Sequence, residues 1–127
     1  MDNLAKEPLS SKNYKVAVAS SDGIVVNQHF GRADTFYIYE VVGADEYRFV
    51  EIRTVTPVCN GGEHDEDQLL SNVIKLKDCK YILVSRVGPG AANALEQSGI
   101  TPVELPGIMG ESIGKLIKYE NLQNLFH

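Results

Sequence analysis

Tyr81-Ile82-Leu83-Val84-Ser85 runs directly into Arg86-Val87-Gly88-Pro89-Gly90, and this stretch decides the fold. The short continuous apolar run has the pattern of a strand covered on both faces, which is the mark of an α/β sheet. Gly-Pro-Gly then opens a helix from Ala91 to Gln97, which Gly99 terminates. Thr101–Leu105 is the next strand. Pro102 cannot donate to a ladder, so that strand belongs at an edge. Pro106–Gly110 turns the chain into a last helix, with Ile113, Leu116 and Ile117 facing inward.

Upstream, Leu69, Leu70, Val73, Ile74 and Leu76 recur at helical spacing through Glu66–Asp78. Asp65, Glu66 and Asp67 at its start and Lys75 and Lys77 at its end complement the helix dipole. Before it, Thr56–Asp65 holds Pro57 and Gly61-Gly62 and reads as a flexible loop. Three strands precede that loop. Tyr14–Ala19 alternates large with small apolar residues, Phe36–Val42 is aromatic and β-branched, and Tyr47–Val55 alternates polar with apolar as an antiparallel partner does. The order is strand, strand, strand, helix, strand, helix, strand, helix. A meander followed by strand–helix alternation predicts one mixed sheet with helices packed against it.

The 127 residues suffice for one domain, expected over 14–127, after a short disordered lead over 1–13. No run nears the ~18 apolar residues of a membrane span, and the lead has no signal-peptide core, so the expected location is cytoplasmic. The net charge of −5, with scattered lysines and arginines, argues against non-specific nucleic-acid binding but leaves room for a local positive pocket. Two cysteines, Cys59 and Cys79, are too few for a disulfide scaffold. Cys79, just before the buried strand, reads as structural.

Chemistry belongs beyond the carboxyl ends of the parallel strands. Two loops leave such ends: Ser20–Asp34, which carries Asn27-Gln28-His29-Phe30-Gly31-Arg32, and Arg86–Gly90. If their strands are parallel neighbours, Ser20–Gly23 and Arg86–Gly90 lie side by side. Arg86, Gly88 and the helix start behind them offer an anion site, although Gly-Pro-Gly is equally plain turn chemistry. No P-loop, G-x-G-x-x-G or G-x-S-x-G motif is present. Cys59, His64 and His29 are the soft or borderline ligands in loops, suited to iron–sulfur clusters, zinc or copper. The Cys59–His64 spacing matches no standard zinc site, and so few ligands cannot close a four-ligand structural centre. They can hold a preformed cluster through labile contacts. The plain alternatives are that His29 sits at a turn while Phe30 plugs the core, that Cys59 is an idle thiol, and that His64 is a neighbour of a helix cap.

Val16–Gly23, then Val26-Asn27-Gln28-His29-Phe30-Gly31-Arg32-Ala33, Phe36–Glu40, Val87–Ala92, Leu95-Glu96 and Gly99-Ile100 together resemble the dinitrogenase iron–molybdenum cofactor biosynthesis family. This is the group of NifX, NafY and the NifB C-terminal domain, and the resemblance runs from about Lys15 to Leu122. It implies a ribonuclease H-like α/β fold, a five-stranded mixed sheet with flanking helices. It also implies a non-enzymatic carrier of an iron–sulfur cluster or iron–molybdenum cofactor precursor, working with cluster donor and acceptor proteins. A homodimer is a separate expectation of this chain. The matching histidine and loop cysteine, His29 and Cys59, are the implied cluster contacts. Asn27 and Arg32 flank His29, and Arg32 and Arg86 would balance an anionic cluster. The C-x-x-x-C-x-x-C motif of the radical domain of NifB is absent, so cluster synthesis is not expected. Two alternatives come from other classes. A metal-dependent nuclease needs converging carboxylates, of which Asp22 is the sole well-placed one. A regulatory or scaffold domain would use the edge strand Thr101–Leu105 or the aromatic strand.

Overall fold

The computed structural model describes residues 13–60 and 63–126, with the backbone alone at 60, 63 and 64. The expected lead falls outside that set, apart from Asn13. Five strands form a mixed sheet: β1 (Tyr14–Ala19), β3 (Thr35–Val42), β4 (Glu46–Thr54), β7 (Tyr81–Val84) and β8 (Thr101–Glu104). Their order across the sheet is β4-β3-β1-β7-β8. The meander β1-β3-β4 is antiparallel, and β1, β7 and β8 are parallel neighbours. The edge position expected for the proline-bearing strand is the one β8 takes.

The alternation in β1 explains how two layers share one sheet. Ala17 and Ala19 face a core with Phe30, Phe36, Ile38, Ile82 and Val84, beneath α1 (Glu66–Lys75) and α2 (Pro89–Gln97). Val16 and Val18 face the opposite core, with Leu83, Ile113, Leu116 and Ile117 of α3 (Met109–Leu125). Small residues stand where aromatic rings fill the space, and larger ones stand beneath α3. The inward positions expected for Ile113, Leu116 and Ile117 are observed.

Three boundaries differ from expectation. Asp65 caps α1 by accepting from the Gln68 amide, but the helix stops at Lys75 instead of Asp78. The Leu76 and Lys77 amides turn back to the Val73 and Ile74 carbonyls, which closes the helix, and the Lys75 carbonyl accepts Arg53 Nη1 at 2.8 Å. Helix α2 starts at Pro89, because proline fits the first helical position where no amide is needed. The Thr56–Asp65 loop contains a two-residue pairing of β5 (Cys59–Asn60) with β6 (Glu63–His64), which sets Cys59 opposite His64. A further small pairing went unforeseen: β2 (Val25–Val26) lies antiparallel to β9 (Gly107–Ile108) beside the start of α3.

A candidate ligand cleft at the end of the parallel strands

The loop after β1 crosses the end of the sheet. Its first half folds toward α3. There the Ser20 hydroxyl donates to the Val25 carbonyl at 2.6 Å, and the Asp22 carboxylate accepts the Ile24 and Val25 amides at 2.9 and 3.1 Å. Gly23, at φ +77°, sits against the Tyr37 ring with no room for a side chain. Those amide bonds hold the Asp22 carboxyl below the usual carboxylate range. Val26 is buried in the α3-side core.

The second half turns to the other side and replaces β1 beside β7. Ser85 donates its amide to the Gln28 carbonyl at 3.0 Å, Phe30 donates to the Arg86 carbonyl at 2.9 Å, and His29 and Arg86 form a parallel bridge. Phe30 is buried in the core under α1 and α2, packing on Phe36. This anchors a single 3-10 turn, Phe30–Arg32, with His29 at its start. The plain expectation that Phe30 plugs the core holds, and it is what fixes His29 at the surface.

A cleft of about 670 Å³ opens between this turn, the start of β5 and the start of α2. His29, Arg32, Cys59, Arg86 and Gly88 all line it, together with Gly31, Val58, Pro89 and Glu104. Among the described residues, the side chains of His29, Arg32 and Arg86 enter no hydrogen bond or ion pair. Helix α2, capped at Gly88, leaves its first amides facing this end of the sheet, where they favour an anion. Two arginines therefore stand against one carboxylate, Glu104, in a chain of net charge −5.

Other expected residues fall elsewhere. Ser20–Gly23 is not part of the lining: the Asp22 turn folds toward α3, and His29–Arg32 takes the place beside Arg86. Asn27 lies in a shallower hollow with Gln28, His29 and Arg32, and its amide group braces Ser21 at 2.9 and 3.1 Å. The His64 backbone is opposite Cys59, and its side chain lies outside the described residues. Cys79 is buried, and desolvation, aided by Asp78, pushes its thiol up to about 12, as suits a structural residue. Among the described residues, no three His, Cys, Asp or Glu side chains gather closely enough to hold a metal ion. The carboxylate cluster of a metal-dependent nuclease is thus missing there, and Asp22 is spent on its turn. No helix among the described residues is long and apolar enough to cross a membrane.

Two features escaped the sequence reading. Glu104 ends β8 and accepts the Val87 amide at 2.9 Å, steadying the loop between Arg86 and α2. Its place at the carboxyl end of a parallel strand was the available signal. The other is contact between Gly31 and Cys59: a Cβ at position 31 would lie 2.8 Å from the Cys59 sulfur. Nothing local to either residue announces that pairing.

The profile of the dinitrogenase iron–molybdenum cofactor family matches residues 12–119. The FeMo cofactor biosynthesis protein NifB of Frankia alni is 41% identical over 104 residues, which cover 80% of this chain and 20% of that protein. NifB of Chlorobaculum tepidum is 32% identical over 126 residues, covering 96% of this chain and 28% of that protein. The chain thus spans less than a third of the length of either curated relative. The NMR structure of a Thermotoga protein provisionally named NifB superposes with a TM-score of 0.57 at 22% identity, over 84% of this chain and 90% of that one, and shares the fold. The residue order around His29 and the profile match agree: this chain belongs to the dinitrogenase iron–molybdenum cofactor family.

Proposed function

We propose that this protein binds and carries an anionic iron–sulfur metallocluster, a precursor of the iron–molybdenum cofactor, as cargo in cytoplasmic cofactor assembly. It does so without transforming the cluster. His29 and Cys59 supply the contacts to iron, His64 adds a third from the opposite strand, and Arg32 and Arg86 balance the negative charge. Gly88 contributes the amide-rich start of α2, and Asn27 holds the loop that presents His29. The observation that carries this reading is the convergence of His29, Cys59, Arg32 and Arg86 on one open cleft of about 670 Å³. A borderline imidazole and a soft thiolate suit iron–sulfur chemistry, and a set this small permits release. Partners are then the donor and acceptor proteins on either side of the transfer, and a second copy of the chain.

The antiparallel–antiparallel–parallel–parallel strand pattern also supports a ribonuclease H-like assignment for the fold. Fold and function separate here, because nuclease chemistry depends on carboxylates that this end of the sheet does not gather among the described residues. Anaerobic titration with a cluster donor, followed by visible absorbance, tests the proposal. The expected result is saturable uptake that falls at least about tenfold in the His29→Ala/Cys59→Ala variant, the loss of about one good interaction. Uptake unchanged in that variant would refute the site.

A further inference from the structure

Strand β4 forms the edge of the sheet opposite β8, and none of its residues lines the cleft. It leaves unusual apolar area in solvent: Phe49 is 52% exposed, Ile52 49%, and Tyr47 and Val50 39% each. A long open edge of this kind is a template for another strand. The order of its charges says which strand.

The register with β3 slips once. Phe49 opposes Tyr39 and Glu51 opposes Ile38, so Val50 has no partner. This bulge shifts the face parity of everything after it. Tyr47, Phe49, Ile52 and Thr54 share the face of Val41, Tyr39, Tyr37 and Thr35, whereas Glu46, Arg48, Glu51 and Arg53 share the other. In an unbroken strand, residues placed symmetrically about a point between two neighbours project to opposite faces and cannot oppose each other across a two-fold axis. The bulge removes that obstacle for β4. About an axis between Phe49 and Val50, Arg48 opposes Glu51, Glu46 opposes Arg53 and Tyr47 opposes Ile52, each pair on a common face.

We infer that β4 pairs antiparallel with β4 of a second copy in this register, joining two sheets into one. Charges on an edge ordinarily discourage pairing with strangers. Here their sequence leaves a register in which each charged residue opposes one of opposite sign. Arg53 is already held by Glu51 and Asp78, so Arg48 against Glu51 carries the preference for the chain's own copy over an unrelated strand. Arg48 already meets Glu40 at 2.6 Å, and 68% of its side chain remains exposed, so it can reach a second carboxylate. The cleft stays open in such a dimer, one on each copy.

Sedimentation equilibrium of the whole chain tests this. The expected mass rises with concentration from 14.0 kDa to twice that value. Arg48→Glu sets like charges opposite one another twice per dimer and should raise the dissociation constant about tenfold or more. Adding Glu51→Arg should restore the affinity, since the swap keeps the opposed pairs complementary. Ile52→Glu, at an exposed position, supplies a second disruption, and circular dichroism checks that each variant is folded. A single 14.0 kDa species at every concentration would overturn the inference. So would a dimer indifferent to both disruptions, or one broken by Arg48→Glu and not restored by the swap.

Discussion

The two ends of the central strands are built on opposite principles. At the carboxyl end, Arg32, Arg86 and His29 stand around a cleft, and among the described residues none of them is neutralised by a neighbour. At the amino end, the charged groups are packed together and consumed. Glu120 of α3 is buried, accepts Lys80 Nζ at 2.6 Å and takes a hydrogen bond from the Tyr81 hydroxyl. Burial pushes Glu120 up, but the hydrogen bonds from Lys80 and Tyr81 outweigh it and hold the carboxyl below its ordinary value. Burial first, then Glu120, raises the Tyr81 hydroxyl, which stays neutral. Tyr14 packs edge-on against Tyr81, with the Lys80 ammonium above both rings. One end spends its polar groups on stability, and the other keeps them available for a ligand.

That contrast separates the effects of substitution. Phe30→Ala should have the largest effect, about 3–5 kcal/mol of stability, because it empties a core position and frees the turn that holds His29. Urea denaturation checks the loss, and cluster uptake should fall with it. Glu120→Ala strands the buried Tyr81 hydroxyl and should cost about 1–3 kcal/mol while leaving uptake unchanged. If uptake dropped equally, the separation of the two ends would fail. Gly31→Ala forces the Cys59 sulfur from its seat and should cost about 1 kcal/mol or somewhat more. Its sharper readout is a changed rate of thiol labelling at Cys59, an effect absent from Gly88→Ala, where a Cβ meets open space.

Asp78→Asn should have the smallest effect. Arg53 donates to both Asp78 oxygens, at 2.7 and 2.8 Å, and these bonds foremost hold the carboxyl well below the usual range. A depressed folded value means stability that is present above the unfolded value of ~4 and drains away as the pH falls toward the folded one. Because both partners keep contact with solvent, the pair should contribute only about 0.2–1 kcal/mol. Thermal melts across pH 2–6 should therefore show a shallower acid loss in Asp78→Asn, within the range where this carboxyl titrates.

The sheet was legible because its strands announce themselves by burial. Tyr81–Val84 is apolar throughout, and Tyr14–Ala19 carries its two faces in alternating side-chain size. The last turn expected of α1 was not, since the Leu76 and Lys77 amides bond three residues back and close the helix early, a choice that residue periodicity does not show. The β2–β9 and β5–β6 pairs were hidden for a related reason: each has two residues a strand, too few for any periodicity. In the site, His29, Arg86 and Cys59 were visible as residue types in loops. Their meeting depends on residues 28–30 replacing β1 beside β7, a tertiary substitution with no local signature. Ser20–Gly23 was misplaced on the same account, because the loop divides between the two faces of the sheet.

The central claim is that His29 contacts the cargo directly. Electron spin-echo envelope modulation of the protein loaded anaerobically with a paramagnetic iron–sulfur cluster measures this contact through the imidazole nitrogen. In a His64→Ala background, the nitrogen coupling of the loaded protein should disappear when His29→Ala is added and persist when Cys59→Ala is added. A coupling that survives the loss of both histidines, or no coupling in the loaded parent chain, would contradict direct contact by His29.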